Sequence, residues 1–264
     1  MAIKTVQAIV NGQTVSLAYN STTKKYEATL TAPDLSSHNQ TGGFYNVTLK
    51  AEDVAGNKVT KDATDSTLGS KLKLIVKEKV APVITIKSPA ASALLTNNKP
   101  KIEFEVTDND SGVDNNTVKL QIDSGAVIKG EDLSKTPITG GFKYEYIPTT
   151  ALADGNHTLK VDASDNDGNA AAQKSQSFKI DTIAPTLNVT SPVNNLVTNN
   201  NKVTVSGTTN DATSSPVTIK VNGAAVTVES NGNFSTEVTL TEGENTITIV
   251  ATDGAGKSTT ATKT

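Results

Sequence analysis

Along most of the chain, apolar residues alternate with polar ones in short runs broken by Asn, Asp, Gly and Pro. Three runs read almost alike: Tyr45-Asn-Val-Thr-Leu-Lys-Ala-Glu-Asp53, His157-Thr-Leu-Lys-Val-Asp-Ala-Ser-Asp165 and Asn245-Thr-Ile-Thr-Ile-Val-Ala-Thr-Asp253. The inward frame is Val47, Leu49 and Ala51 in the first, Leu159, Val161 and Ala163 in the second, and Ile247, Ile249 and Ala251 in the third. A period of two is the mark of a half-buried strand. Each run ends in Asp-x-x-Gly, at Gly56, Gly168 and Gly256, and a further strand candidate follows the first two turns. In the first copy it spans Lys58 to Lys61 or resumes at Lys71 to Val76, and in the second it is Gln176 to Ile180. Glycine there supplies the positive φ that a tight hairpin needs. No stretch carries a 3.6-residue period long enough for a helix.

A second repeat marks where units begin. Ala81-Pro82-Val-Ile-Thr-Ile-Lys-Ser88-Pro89 matches Ala184-Pro185-Thr-Leu-Asn-Val-Thr-Ser191-Pro192. Each copy is followed by Thr-Asn-Asn and a new alternating run: Ile102, Phe104 and Val106, then Val203 and Val205. Proline at the head of a strand suits a sheet edge, where one side need not donate. Val10-Asn11-Gly12 and Val221-Asn222-Gly223 are two-residue hairpin signals. The pattern predicts an all-β chain of three immunoglobulin-like sandwich units in an elongated rod, at residues 1–79, 80–181 and 182–264. The short proline-bearing connectors predict limited bending.

Composition narrows the picture. The 264 residues are 35% hydrophobic and 4% aromatic, which suits thin sandwiches better than one thick core. Every basic residue is Lys, and the net charge is -3. Without Arg or a basic stripe, nucleic-acid binding is not expected. The absence of Cys excludes disulfides and thiolate metal sites. The first ten residues hold no apolar run long enough for a signal peptide or a membrane span, so no membrane insertion is expected. On this reading the chain is made in the cytosol and stays soluble unless it leaves by lysis, by a dedicated machine or as a fragment of a longer chain.

The candidate chemistry is aspartate. Asp108, Asp110 and Asp114 form one cluster, and Asp162, Asp165 and Asp167, with Asn169, form another. Calcium takes six to eight oxygen ligands, and carboxylates from loops of adjacent units could hold one at a joint. Tight turns use the same residue types, because Asp and Asn bond the local backbone. Counting from Asp108, the twelfth position is Lys119 instead of the Glu of an EF-hand loop. His38 and His157 are the two imidazoles; His157 starts a strand, and His38 sits in a polar loop. No nucleophile-elbow motif accompanies them, so no catalytic residue is expected. The lack of Trp disfavours a sugar platform, although Tyr26, Phe44, Tyr45, Phe142, Tyr144 and Tyr146 could form an exposed patch.

From Ala184 to Lys257 the order Ala-Pro, Val-Asn-Gly, an aromatic strand and the Asp-x-Ala-Gly turn resembles the bacterial Ig-like repeat families. The Asp-x-x-Ser-Gly-Val-Asp stretch of the middle unit looks like a related Ig-like variety. The first unit is similar to Ig-like proteins encoded in tail regions of Clostridia-type prophages. The resemblance implies a non-enzymatic structural or decorating protein, of a phage tail or phage-like particle, with protein partners in a larger assembly. The first unit, lacking an Ala-Pro lead, is the expected attachment unit. A cell-surface adhesin or wall-associated spacer is the alternative. A glycan-binding accessory module, with a cell-surface glycan as partner, is a second.

Overall fold

Short alternating runs flanked by turn residues become strands throughout the computed structural model, which describes residues 2–264. Among these residues the only helical pieces are three single 3-10 turns.

The first group comprises β1 (Ile3–Val10), β2 (Gln13–Ser16), β3 (Ala18–Asn20), β4 (Lys25–Glu27), β5 (Tyr45–Asp53), β6 (Lys58–Lys61) and β7 (Lys73–Leu74). One sheet runs β2-β1-β5-β6, with β7 also pairing to β5, so both candidate partners of the repeated strand are used. Strands β3 and β4 form a separate ribbon in which Tyr19 faces Tyr26 at 5.3 Å between rings. The buried apolar residues are few: Val10, Tyr45 and Leu72.

The second group holds β8 (Val83–Ser88), β9 (Leu94–Leu95), β10 (Ile102–Thr107), β11 (Val113–Ile122), β12 (Ile128–Lys129), β13 (Ser134–Ile138), β14 (Gly141–Tyr146), β15 (Gly155–Asp165) and β16 (Lys174–Ile180). Two sheets, β13-β14-β10-β8 and β12-β11-β15-β16-β9, close on each other. Ile102, Phe104, Val106 and Tyr144 from one meet Val118, Leu120, Leu159, Val161 and Ile180 from the other. Phe104 stacks on Tyr144 at 5.2 Å, and β8, led by Pro82, is an edge.

The third group holds β17 (Thr186–Ser191), β18 (Lys202–Asn210), β19 (Thr218–Val221), β20 (Ala224–Val226), β21 (Asn233–Thr239), β22 (Ile247–Thr252) and β23 (Ser258–Lys263). Sheets β17-β18-β21 and β20-β19-β22-β23 enclose Val205, Phe234, Ile219, Val221, Ile247, Ile249 and Ala251. Both Asn-Gly signals are two-residue hairpins with positive φ at each position, Asn11 and Gly12 joining β1 to β2, and Asn222 and Gly223 joining β19 to β20.

The accessible surface is 15449 Å². A single compact body of 27.4 kDa would expose about 11,000 Å². The excess is that of separate cores strung along an extended chain.

Candidate functional site

Polar side chains converge where one unit meets the next. At the first joint the connector after β7 passes between the loop that follows β10 and the turn that follows β15. Asp108 folds its own loop: its Oδ1 accepts from the amides of Asp110 at 3.0 Å and Gly112 at 2.7 Å. Asp165 does the same for its turn, accepting from Asp167 N at 2.9 Å, Asn169 N at 2.8 Å and Asn169 Nδ2 at 2.6 Å. Glu78 of the connector bridges the two. Its Oε1 accepts from Ser111 N at 2.8 Å, its amide donates to Asp167 Oδ2 at 3.1 Å, and its carbonyl accepts from Asn169 Nδ2 at 3.2 Å. Asp110 reaches into the first unit, accepting from Ser36 N at 2.9 Å and Asn39 Nδ2 at 3.1 Å. Lys77 donates to the Asp167 carbonyl at 3.1 Å.

Of the six aspartates singled out above, four therefore lie at this joint, and two do not. Asp114 accepts from Asn116 in the irregular first part of β11, and Asp162 accepts from Gln173 on the face of β15. The strand alternation separates Asp162 from Asp165, since an odd offset turns their side chains to opposite faces. Burial first and the Asp114 charge second push up the hydroxyl of Tyr144, which donates to Oδ1 of the neighbouring Asn115. The group able to share a cation here is Glu78, Asp108 and Asp165, each offering an oxygen within 4.8 Å of the others. Glu78 has a sequence signal: it lies three residues before Ala81-Pro82, as Asp181 lies three before Ala184-Pro185.

The second joint repeats the plan with residues that the local spacing of aspartates did not mark. Asp181 follows β16, Asp211 follows β18, Asp253 ends the run of β22, and their oxygens likewise lie within 4.8 Å. Asp181 accepts from Ser214 Oγ and from Ile183 N at 3.3 Å. Asp211 Oδ1 accepts from the amides of Thr213 at 2.7 Å and Ser214 at 2.6 Å. Next to it, Thr182 N and Oγ1 donate to Asp154 Oδ1 at 3.0 and 2.9 Å, holding the connector against the middle unit.

The other candidates have structural placements. His157 is buried, with Nδ1 2.8 Å from Asp123 Oδ2, Nε2 2.7 Å from the Ala153 carbonyl and its ring against Phe178. His38 is exposed on a 3-10 turn. The aromatic residues form no exposed patch, since Phe142, Tyr144 and Tyr146 share the face of β14 that packs on the core of the middle unit. Tyr45 and Tyr144 are buried, and the Tyr45 hydroxyl donates to the Leu35 carbonyl at 3.1 Å. Phe44 and Phe142 each lie beneath a lysine, Lys73 at 4.4 Å and Lys135 at 4.8 Å. A cleft of about 580 Å³ opens at the far end of the third unit, between the loop around Leu196 and Val197 and the turn around Glu242 and Glu244, both of which are exposed.

Two stretches of the chain match protein families. Residues 88–182 match the bacterial Ig-like domain family, and residues 185–264 match the family described as glucodextranase, domain B. Bacillopeptidase F of Bacillus subtilis is 34% identical over 109 residues, covering 41% of this chain and 7% of that protein. Chitinase ChiA of Flavobacterium johnsoniae is 28% identical over 197 residues, covering 69% of this chain and 12% of that protein. This chain thus spans a small part of the length of either relative. Among solved structures, an I-band fragment of titin is similar with a TM-score of 0.46 and 14% identity, over 98% of this chain and 86% of that one. The fibronectin(III)-like modules of Clostridium thermocellum CbhA are similar with a TM-score of 0.39 and 22% identity, over 68% and 91%.

Proposed function

From a chain of immunoglobulin-like units whose middle one is a bacterial Ig-like domain, we propose a non-catalytic spacer that holds neighbouring parts of a larger extracellular assembly at a set distance and angle. The observation that carries this reading is the first joint. Glu78, Asp110, Asp167 and Asn169 bond connector and units together in several directions, where a flexible tether would leave the connector solvated. Matches to short parts of a peptidase and a chitinase support a segment that accompanies other domains instead of performing their chemistry. Its partners are proteins of the assembly, engaged through the end units.

Small-angle scattering on the full chain tests the mechanical part. One narrow, elongated distribution is expected, whereas a broad mixture of bent and straight forms contradicts the proposal. Mass spectrometry of particle, wall and secreted fractions then reads the host assembly. Many copies in tail-like particles support the phage component expected from the sequence, and peptides confined to a longer wall-bound polypeptide support the surface spacer.

A further inference from the structure

We infer that the second joint is a calcium site built from Asp181, Asp211 and Asp253. All three carboxylates are nearly out of water, at 0%, 7% and 6% exposed, and none is in an ion pair among the described residues. Like charges gathered in a dry pocket repel unless a cation or dense hydrogen bonding offsets them.

The hydrogen bonding falls short at one identifiable atom. The Asp-x-x-Gly turn occurs three times, and in the first two its aspartate is fully used. Asp53 Oδ2 accepts from Asn57 Nδ2 at 2.8 Å, and Asp165 Oδ2 accepts from Asn169 Nδ2 at 2.6 Å. The third turn carries Lys257 in place of that asparagine. Lys257 N still donates to Asp253 Oδ1 at 2.8 Å, yet the buried Oδ2 has no partner. A buried acceptor left unmade is costly, and here it belongs to the acid cluster itself.

The donor set identifies the ion class. It is oxygen only, with neither His nor Cys, which suits a hard divalent cation and not zinc. Oxygens up to 4.8 Å apart can share one ion, because calcium binds each at about 2.3–2.6 Å. Mutual placement of Asp181 from the middle unit with Asp211 and Asp253 from the third means that such an ion would clamp the two units together.

The test is calorimetric titration of calcium chloride into the full chain after EDTA stripping, with thermal unfolding in parallel. A saturable site with a Kd of about 10⁻⁵ to 10⁻³ M is expected, with magnesium weaker. Asp253→Asn should weaken it by roughly tenfold or more. Lys257→Asn restores a donor that this chain already uses twice, so it should fold; it should bind calcium less well than Lys257→Ala, which makes the same charge change without the donor. Asp108→Asn, at the first joint, should leave this site intact. No saturable calcium binding up to about 10 mM, an order above the weakest expected Kd, overturns the inference. So does binding that Asp253→Asn and Lys257→Asn leave unchanged, or that disappears with Asp108→Asn alone.

Discussion

Strands β5 and β15 share nearly the same sequence pattern but occupy different depths. In β15 the alternate positions Leu159 and Val161 are fully buried and Ala163 nearly so, whereas Val47, Leu49 and Ala51 of β5 are only half-buried. The cause lies outside the strand. Over β15 a second sheet brings Ile102, Phe104, Val106 and Tyr144, while the first group has one sheet and the small β3–β4 ribbon. A period of two reports which face turns inward; the depth of burial is set by what closes over that face.

The sharpest way to break this comparison is to delete core volume on both sides of it. Phe104→Ala should cost the middle unit about 3–5 kcal/mol, and Leu49→Ala in the first unit should cost about 1 kcal/mol. Hydrogen exchange at β15 and β5 in urea reads each unit separately. Equal losses would mean that the first unit has a tighter core than its burial indicates.

The Thr-Gly-Gly-Phe segments at 41–44 and 139–142 make a second, smaller contrast. A Cβ on Gly141 would lie 2.1 Å from the Val106 carbonyl oxygen, inside the sheet, whereas Gly43 has φ +74° and open space around it. Gly141→Ala should cost roughly 2–3 kcal/mol by prying β14 from β10. Gly43→Ala should cost about 1 kcal/mol from backbone strain alone. Thermal unfolding of the two variants ranks them.

Asp110→Ala removes the bonds to Ser36 and Asn39 without touching either core. It should cost about 1–2 kcal/mol at most and widen the angular distribution of the first unit against the middle one in scattering. An unchanged distribution would assign the joint's stiffness to the bonds of Lys77 and Glu78 with the middle unit.

The smallest expected effect is in acid. Hydrogen bonds from Lys101 and then Lys143 hold Glu145 at about 2, below its ordinary 4.5, and Lys61 first, then the Leu68 and Thr67 amides, hold Asp65 at about 2 from 3.8. Carboxyls lowered in the folded state stabilise it above their unfolded values and lose that contribution as the pH falls toward 2. Glu145→Gln should therefore flatten the acid limb of the middle unit between about 4.5 and 2 and leave that of the first unit unchanged. Circular dichroism against pH measures it; because these ion pairs lie at the surface, the change should be slight.

Local rules made most of the strands legible. The Asn-Gly hairpins, the Asp-x-x-Gly turns and the edge position of the Ala-Pro strands all follow from short-range backbone chemistry. So did Asp108, Asp110, Asp165 and Asp167, whose spacing alone drew attention to their loops. Asp162 was grouped by nearness in sequence, which a strand's alternating faces undo, and Asp114 by its spacing, although it lies at the irregular start of β11 and accepts from Asn116 there. Glu78, Asp181, Asp211 and Asp253 were missed because their association is made between units. The acid three residues before each Ala-Pro was the readable trace of it, and it becomes visible only when the two connectors are aligned.

The short strand β9 has a mechanical consequence. Leu94–Leu95 pairs parallel to β16, the strand that leads directly to the third unit. Ser92 N to Ser177 O, Lys179 N to Ala93 O and Asp181 N to Leu95 O, at 2.8, 2.7 and 2.8 Å, lie between the chain's entry to the middle unit and its exit. Tension applied at the two ends loads these bonds in shear, all together, instead of peeling them one at a time. Rupture force in single-molecule pulling should thus be higher for the middle unit than hairpin unzipping would allow, and it should fall on Ala93→Pro or Lys179→Pro, of which the latter removes a donor from this patch. A unit made this way bears load through its entry and exit strands, leaving the sandwich behind them unstrained until the patch gives.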